Sequence, residues 1–395
     1  MEPIEFIDPW YYSTVYHIFL VVVCWSVTLY YLGSNGQKIL HAENNLSQGA
    51  AVFLALLVAL FMGLRQLSRE FGDTRVYAGG YNYLSGFEDA WAVNFKTEWG
   101  WRNLEVFCKF VLGLNVHEFF VIVALIFVGG VLICAFYLTR ENLWLTMLFF
   151  YSALQTFSFG VNGVRNGMAC SMLLIAIGII ASKKKVTIMP VIIMYLALAV
   201  HRSTMLPSAA VLVSLFYLKD KPKLAFQFWL ASIAISLVAG HTMEQFFASL
   251  GFDDRMSSYY NAQFDEDVAA SFSSTGFRWD FLLYSTFPVL MFWYVTHIRR
   301  FNDPTYNIVA STYLLCHAFW IMVIRAAFSN RFAYLSWFLY PIVIAYPLLR
   351  MNLWEDQDRK TSIIFFFYTG FTFFMFFVYY FGTTGFRGFD LYWWK

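Results

Sequence analysis

The chain has 395 residues, of which 59% are hydrophobic and only 13% are charged, and its formal net charge is +2. Soluble domains carry about 25% charged residues, so this composition excludes a water-soluble protein of two or three domains. The hydrophobic runs are unbroken and recur along the whole chain. Since a spanning segment must satisfy its backbone polar groups internally, unbroken runs predict membrane helices rather than barrel strands.

The sequence predicts an all-α polytopic membrane protein, a single integral membrane domain over residues 1–395 with about twelve (11–13) helices of roughly 20 residues. The predicted spans are 14–33, 48–64, 116–138, 142–158, 162–181, 186–200, 203–218, 224–240, 278–296, 306–326, 331–350 and 361–381. The first span has neither a preceding basic region nor a small-residue cleavage site, which predicts a retained anchor.

The distribution of basic residues predicts the orientation. Thirteen Lys and Arg lie in six short alternating loops: Lys38, Arg140, Lys183, Lys184, Lys185, Lys219, Lys221, Lys223, Arg299, Arg300, Arg350, Arg359 and Lys360. The positive-inside rule places these loops in the cytoplasm and both termini outside. The five scattered cysteines have no metal-ligand spacing and are predicted to be buried apolar residues.

Two loops on the outward side are long. Loop 65–115 mixes charged and aromatic residues, and its last part, from Trp101 to Leu112, has the periodicity of an interfacial or re-entrant helix. Loop 241–277 is rich in serine and acidic residues (Asp253, Asp254, Asp265, Glu266 and Asp267). These acids are interpreted as a solvated flap, and a divalent-metal site is the alternative.

Six arginines lie at or near the outward ends of predicted helices: Arg65, Arg165, Arg202, Arg278, Arg325 and Arg331. An arginine in hydrocarbon costs roughly 2.5–3.5 kcal/mol and here also opposes the positive-inside bias. A guanidinium binds phosphate oxygens through two parallel hydrogen bonds, so six converging arginines predict a site for a pyrophosphate-like anion. The alternative is anchoring at lipid headgroups together with pairing to nearby acids.

Three residues are candidates for proton transfer. His201 follows a short apolar helix, and an imidazole suits a general base at neutral pH, although a histidine at a helix end also serves as an interfacial hydrogen-bonding residue. Asp73 and Glu98 are the other groups that could activate a hydroxyl. Aromatic residues of the outer loops belong either to an interfacial belt or to a surface that stacks on sugar rings.

Five short motifs follow one another along residues 60–340. They are Leu64-Arg65 with Phe71-Gly72-Asp73-Thr74 and Tyr77; Glu98-Trp99-Gly100-Trp101; Gly163-Val164-Arg165-Asn166-Gly167-Met168-Ala169; Val200-His201-Arg202-Ser203-Thr204; and Arg331-Phe332-Ala333-Tyr334. Their order resembles that of EpsG-type, Wzy-like polysaccharide polymerases. The chain departs from that pattern in three places: Gly-Asp-Thr stands for Gly-Thr-Asp, Asn166 for Gln, and Val200 for an aromatic residue. The first departure puts the position of the carboxylate in doubt.

The resemblance implies a GT-C-like membrane glycosyltransferase that polymerises O-antigen, capsule or exopolysaccharide repeat units on the outer face of a bacterial cytoplasmic membrane. Donor and acceptor would be undecaprenyl-pyrophosphate oligosaccharides. The six arginines would hold the pyrophosphate, and His201, Asp73 or Glu98 would take the acceptor proton. Tyr77, Trp99 and Trp101 would bind the glycan.

The resemblance implies no obligatory cofactor or metal and no nucleic-acid partner. Membrane lipids and a chain-length-regulating co-polymerase are the other partners it implies. Three alternatives remain open. A glycan ligase would use the same donor and arginines with a different acceptor pocket. An O-acyltransferase needs a donor tunnel that the sequence does not indicate, and a transporter predicts an internal repeat and charges at mid-membrane.

Overall fold

The structure is a computed structural model that describes residues 1–34, 38–40, 44–249, 277–325 and 329–379. Within these ranges the regular secondary structure is helical and no strand occurs. This confirms the predicted all-α class. By its internal contacts the chain divides into two compact units. Unit 1 comprises Met1–Ile175, Ala199–His201 and Leu348–Lys395, and unit 2 comprises Ala176–Leu198 and Arg202–Pro347.

Seven helical stretches of the described residues are long and apolar enough to cross a membrane: Pro9–Leu32, Val116–Tyr151, Val164–Lys183, Pro222–Phe247, Trp279–Ile298, Phe332–Arg350 and Gln357–Phe377. The shorter apolar helices Ile188–Val200 and Arg202–Leu218 have 13 and 17 residues, about 20 and 26 Å at 1.5 Å per residue, which is less than the roughly 30 Å of bilayer hydrocarbon. The third, Ser47–Gly63, is part of the 20-residue helix Asn44–Gly63. The protein is therefore an integral membrane protein, and the number of twelve spans stays a prediction.

Unit 1 is built mainly from helices of the N-terminal half and the last described helix. These are α1 (Pro9–Leu32), α2 (Asn44–Gly63), α3 (Thr74–Asn82), α4 (Trp99–Val106), α5 (Val116–Thr139), α6 (Leu143–Tyr151), α7 (Thr156–Val161), the first part of α8 (Val164–Lys183) and, near the C-terminus, α16 (Gln357–Phe374). Helix α2 packs along α5, α5 also packs on α6, and α1 packs along α16. Non-helical backbone at Thr139 and Asn142 separates α5 from α6, at the loop predicted from Arg140.

A buried carboxylate joins the two ends of unit 1. Asp358, in the first turn of α16, is 0% exposed. It accepts hydrogen bonds from Ser34 Oγ, Lys38 N and Ile39 N at 2.8, 2.8 and 2.9 Å. A buried charge is tolerated when donors satisfy it, so this contact fixes the chain that follows α1 against the start of α16.

Unit 2 contains most of α9 (Ile188–Val200), α10 (Met205–Val213), α11 (Pro222–Ser249), α12 (Trp279–Trp293), α13 (Pro304–Met322), α14 (Ser329–Trp337) and most of α15 (Tyr340–Arg350). Helix α13 is buried on almost every side and packs against α10, α11, α12 and α14, as expected of a central helix that is apolar all round. Helix α11 is kinked at Ala239, where φ is −131° and ψ is 25°.

Two predicted spans consist of two helices each. Span 142–158 is α6 and α7, and span 331–350 is α14 and α15. In the first case Ser152 Oγ donates to Leu148 O and Thr156 Oγ1 donates to Phe150 O at the break. Side-chain hydroxyls that bond to local carbonyls compete with the helical ladder, which favours a break here. The acidic residues predicted in loop 241–277, from Asp253 to Asp267, lie outside the described residues.

Candidate functional site

The centre of the candidate site is Glu98, the residue that precedes α4. One carboxylate oxygen of Glu98 lies 2.7 Å from Nη1 of Arg165, at the start of α8. The other lies 2.6 Å from Nδ1 of His201. All three residues belong to unit 1, and their side chains are 15%, 23% and 11% exposed in that order. The structure therefore brings together one predicted anion-binding arginine and two predicted proton-transfer residues.

Gly100 allows α4 to approach the chain just before His201. A Cβ atom at this position would lie 2.9 Å from Ala199 Cβ and 3.0 Å from the Ala199 carbonyl carbon. Real Cβ atoms almost never come this close to backbone, so only glycine fits without a shift. Since Gly100 follows Glu98 by two residues, this close approach places the Glu98 carboxylate beside the His201 imidazole.

The hydrogen bond to Glu98 defines the chemistry of His201. A carboxylate accepts, so Nδ1 carries the proton in the neutral ring and Nε2 keeps its lone pair. Nε2 is then the atom that can accept a proton from a hydroxyl. The carboxylate also stabilises the imidazolium that results, which is the arrangement of base and orienting acid found in many hydrolases and transferases.

Predicted glycan-binding aromatics lie beside Arg165. The Arg165 guanidinium lies 5.8 Å from the centroid of the Tyr77 ring. Tyr77 and Trp101 meet edge to face with centroids 5.4 Å apart. Trp101 is 5% exposed, and the third predicted aromatic, Trp99, is half-buried at the first position of α4. Of the three, Tyr77 and Trp101 form one wall next to the arginine.

Glu105 is a residue that sequence reasoning missed. It lies two turns after Glu98 on the same face of α4, is 3% exposed, and accepts a hydrogen bond from Trp101 Nε1 at 2.8 Å. Burial raises its pKa to about 7, against the opposing charges of Arg102 and Arg165 and the Trp101 hydrogen bond. The seven-residue spacing from Glu98, which returns to the same helix face, was the available signal.

The Gly-Asp-Thr element is held against the turn before α8. Gly72 has φ +55°, and a side chain there would overlap the amide of Asn162. Asn162 Oδ1 accepts from the backbone N–H of Asp73 at 2.9 Å, and Thr74 Oγ1 donates to Val161 O at 2.5 Å. The element is thereby anchored three residues before Arg165.

Arg65 completes this anchor from the other side. It is 0% exposed, and its Nε and Nη2 donate to Thr74 Oγ1 at 3.1 and 2.9 Å. Its Nη1 donates to Met62 O at 2.7 Å, and its guanidinium lies 4.4 Å from the centre of the Phe120 ring. Three N–H groups of the predicted anion-binding arginine are thus bonded inside unit 1.

Asp73 differs from the other two predicted proton-transfer residues. Its side chain is exposed at the start of α3 and makes no capping hydrogen bond to the helix. The structure places it outside the Glu98–Arg165–His201 cluster. The reversed order Gly-Asp-Thr puts threonine, not aspartate, at the buried position that bonds Arg65.

Four predicted anion-binding arginines belong to unit 2. Arg202 follows His201 directly in a short 3-10 turn. Arg278 pairs with Asp280 through two hydrogen bonds of 3.0 and 2.7 Å and lies over Phe281. Arg325 follows α13, rather than lying in its last turn as predicted. Arg331 lies in the first turn of α14, and its side chain is outside the described part of the structure.

Arg325 is held in the kinked part of α11. Its Nη1 donates to Ser236 O at 2.5 Å, and its guanidinium lies 5.2 Å from the centre of the Phe277 ring. A Cβ atom at Gly240 would occupy the position of the guanidinium. The absence of a side chain at Gly240 therefore allows this arginine to contact the α11 backbone.

The described residues contain no group of three or more His, Cys, Asp or Glu side chains that could hold a metal ion. The five cysteines form no disulfide and are buried, as predicted. The Glu98–Arg165–His201 cluster supplies a guanidinium and an imidazole that a carboxylate orients.

Comparison with known proteins gives one match. The model of the EpsG family matches residues 50–389, which includes every predicted site residue. No curated protein and no solved structure matches the chain.

Proposed function

The chain belongs to the EpsG family and is a membrane protein of polysaccharide biosynthesis, and we propose that it is a glycosyltransferase that polymerises lipid-linked oligosaccharide repeat units. In this proposal the substrates are undecaprenyl-pyrophosphate oligosaccharides, and the reaction takes place on the outer face of a bacterial cytoplasmic membrane. The product would be an O-antigen, capsule or exopolysaccharide. A chain-length-regulating co-polymerase would be its protein partner.

The observation that carries the proposal is the division of the Glu98 carboxylate between Arg165 and His201. Transfer from a sugar pyrophosphate requires a cation for the leaving group and a base for the attacking hydroxyl. Arg165 and His201 supply one of each; the side chain of Arg165 is 23% exposed and that of His201, a buried residue, is 11% exposed. The carboxylate between them fixes the distance between the guanidinium and the imidazole, and such fixed geometry favours a reaction that needs both groups at once.

The proposed reaction forms one bond and breaks one. The acceptor hydroxyl oxygen attacks the anomeric carbon of the donor, and the bond from that carbon to the pyrophosphate oxygen breaks. The electron pair of that bond stays on the pyrophosphate, whose growing charge Arg165 stabilises. The hydroxyl proton passes to Nε2 of His201, and Glu98 stabilises the imidazolium until the proton returns to water.

The other predicted residues have supporting roles in this mechanism. The Nε atom of Arg165 is buried and has no acceptor among the described residues, so this donor is available to an anion that enters from its side. Arg202, Arg278, Arg325 and Arg331, which belong to unit 2, stay predictions from the sequence as ligands of the pyrophosphate. Arg65, three of whose N–H groups are bonded inside unit 1, would position Asp73 and Thr74. Tyr77 would stack on a sugar, and the buried Trp101 would support its ring.

The test is polymerisation by the purified protein. Supplied with lipid-linked repeat units in vesicles, the protein is expected to produce a ladder of lengthening glycans. Arg165→Ala and His201→Ala should abolish the ladder, whereas Asp73→Asn should preserve it if His201 is the base. Arg75→Ala, an exposed arginine of α3, is the matched control and should leave the ladder intact.

Two outcomes would contradict the proposal. Transfer of a glycan of one length to a different acceptor would indicate a ligase that uses the same donor. A ladder that persists in Arg165→Ala and His201→Ala, with each variant eluting from gel filtration as the parent does, would remove these residues from the reaction.

A further inference from the structure

The segment between α3 and α5 has an unusually apolar surface for a loop outside a membrane span. Its large exposed side chains, with the exposed fraction of each, are Tyr83 (91%), Phe87 (62%), Trp91 (43%), Val93 (63%), Phe95 (72%), Phe107 (46%), Val111 (55%) and Leu112 (49%). We call residues 83–95 and 107–112 the platform. Contiguous apolar surface of this kind marks a binding surface, because water does not favour it.

The platform is held in a defined shape. Asn103 bonds both backbone groups of Trp91: its Oδ1 accepts from Trp91 N at 2.8 Å, and its Nδ2 donates to Trp91 O at 3.0 Å. Arg102 lies over the same indole with 5.4 Å between the guanidinium and the ring centroid. Side chains of α4 therefore fix the middle of residues 83–95. The aromatic side chains of this segment are thus held in defined positions at the surface.

A lysine joins the two parts of the platform. Lys109 Nζ donates to Tyr81 O, Asn82 O and Leu84 O at 3.1, 2.9 and 2.8 Å, which closes the C-terminal end of α3. All three N–H groups of this ammonium are thereby used within the protein. The neighbouring Phe110 ring lies 5.7 Å from that of Phe87. The chain after α3 and the π-helical residues Phe107–Val111, which continue α4, thus form one surface.

This surface is continuous with a membrane-spanning helix. Leu112 precedes Val116, the first residue of α5, by four positions, which limits the separation of their Cα atoms to about 14 Å. Helix α5 has 24 residues, about 36 Å, so its ends extend slightly beyond the roughly 30 Å hydrocarbon core. Leu112 and its neighbours therefore lie within reach of the headgroup region at which α5 begins.

We propose that the platform lies in the lipid leaflet at which α5 begins, with Phe87, Phe107 and Val111 in contact with acyl chains. Interfacial elements bury their apolar faces about 5–10 Å into the boundary between headgroups and acyl chains. Tyr83 and Trp91 suit the headgroup region because each combines an apolar ring with one polar atom. A sugar ligand would need polar groups that phenylalanine and valine do not have.

The inference concerns how the chain sits in lipid and does not depend on the proposed reaction. It has a consequence for the site, since the platform is continuous with α4 and Glu98 immediately precedes that helix. Contact with lipid would fix the depth of Glu98 relative to the bilayer surface. The reacting group of a lipid-linked substrate also lies at a fixed depth, because its lipid tail is held in the bilayer.

The test measures the depth of single nitroxide labels on the full chain in phosphatidylcholine vesicles. Cysteine is introduced at Phe87 or Phe107, and collisions with oxygen, which concentrates in lipid, are compared with collisions with a water-soluble nickel complex. We expect the ratio of oxygen collisions to nickel collisions at both positions to approach the ratio at Phe367, an exposed residue of α16 within a candidate span. The matched controls are Glu88, an exposed acid within residues 83–95, and Arg75, an exposed residue of α3, and both should give the ratio expected in water.

The native cysteines are buried, so the unsubstituted chain provides the background signal. Ratios at Phe87 and Phe107 equal to that at Glu88, with Phe367 still reporting lipid, would overturn the proposal and leave the platform exposed to water. Equal shielding of both positions from oxygen and from nickel would also overturn it, because it would indicate a protein or glycan cover.

Discussion

Glu98 is bonded to two functional groups at once, because its two carboxylate oxygens are divided between Arg165 and His201. Replacing it with glutamine keeps the size of the side chain and removes the charge. The amide cannot stabilise the imidazolium or pair with the guanidinium as the carboxylate does.

We therefore expect Glu98→Gln to lower kcat for glycan transfer by about 100-fold or more, the range typical of proton-transfer groups. Initial rates with lipid-linked repeat units measure this. Glu88→Gln, an exposed acid of the same loop, is the control and should retain the parent rate. Equal rates for Glu98→Gln and the parent would show that the cluster is structural.

Glu105 provides a prediction about pH. Burial raises its pKa to about 7 from an ordinary 4.5, in spite of the opposing charges of Arg102 and Arg165. The folded protein then binds more protons at this site than the unfolded chain between pH 4.5 and 7. The contribution of Glu105 to stability is therefore fully present below pH 4.5 and is lost as the pH rises to about 7.

Glu105→Gln should remove this dependence and keep an acceptor for Trp101 Nε1. The unfolding temperature of the purified protein, measured in detergent from pH 5 to pH 8, should fall less steeply in the variant than in the parent. Parallel pH profiles for variant and parent would contradict the assignment.

At the scale of helices, Gly100 determines how closely α4 approaches Ala199. An added methyl group would push the helix away from the backbone that carries His201. A misplacement of about 1 Å can cost 100-fold in rate. Gly100→Ala should therefore reduce glycan transfer by at least about 10-fold, with KM less affected than kcat.

Gly79→Ala in α3 is the matched control, since a Cβ atom at Gly79 meets nothing within 4 Å. Alanine inside a helix is favoured over glycine by about 0.5–1 kcal/mol, so this variant should be as active as the parent and no less stable. Activity of Gly100→Ala equal to that of Gly79→Ala would show that the close approach is dispensable.

At the scale of the whole molecule, Asp358 joins residues some 320 positions apart; two of its three hydrogen bonds are buried and the third, from Lys38 N, is partly buried. Asp358→Ala would leave the donors of Ser34, Lys38 and Ile39 without their acceptor. A buried donor without a partner costs about 1–3 kcal/mol, so we expect a loss of about 3 kcal/mol or more in the free energy of unfolding.

Thermal unfolding in detergent measures this loss. The control is Asp356→Ala, two residues earlier, where an exposed carboxylate pairs with Lys360, and we expect no measurable change there. Similar unfolding temperatures for both variants would show that the contact between the end of α1 and α16 contributes little.

The surroundings of individual residues are what the sequence does not predict. Six arginines share one sequence signature, yet Arg65 is bonded inside unit 1 while Arg165 is partly exposed beside Glu98. The Gly-Asp-Thr order left open whether Asp73 takes the position of the family's carboxylate. In the structure the buried hydroxyl of Thr74, not the carboxylate of Asp73, takes the position that bonds Arg65. Glu105 was missed because its seven-residue spacing from Glu98 places both acids on one helix face but does not show that Glu105 is buried.

The sequence by itself determined that this is a helical membrane protein of the EpsG family with a short set of chemical residues. It could do so because hydrocarbon forces backbone hydrogen bonds to close within each segment, so long apolar runs indicate helices. Only the tertiary structure decided which of those residues meet. Glu98 and His201 are 103 positions apart, and their contact depends on helix packing, through Gly100 on Ala199, which no local pattern encodes.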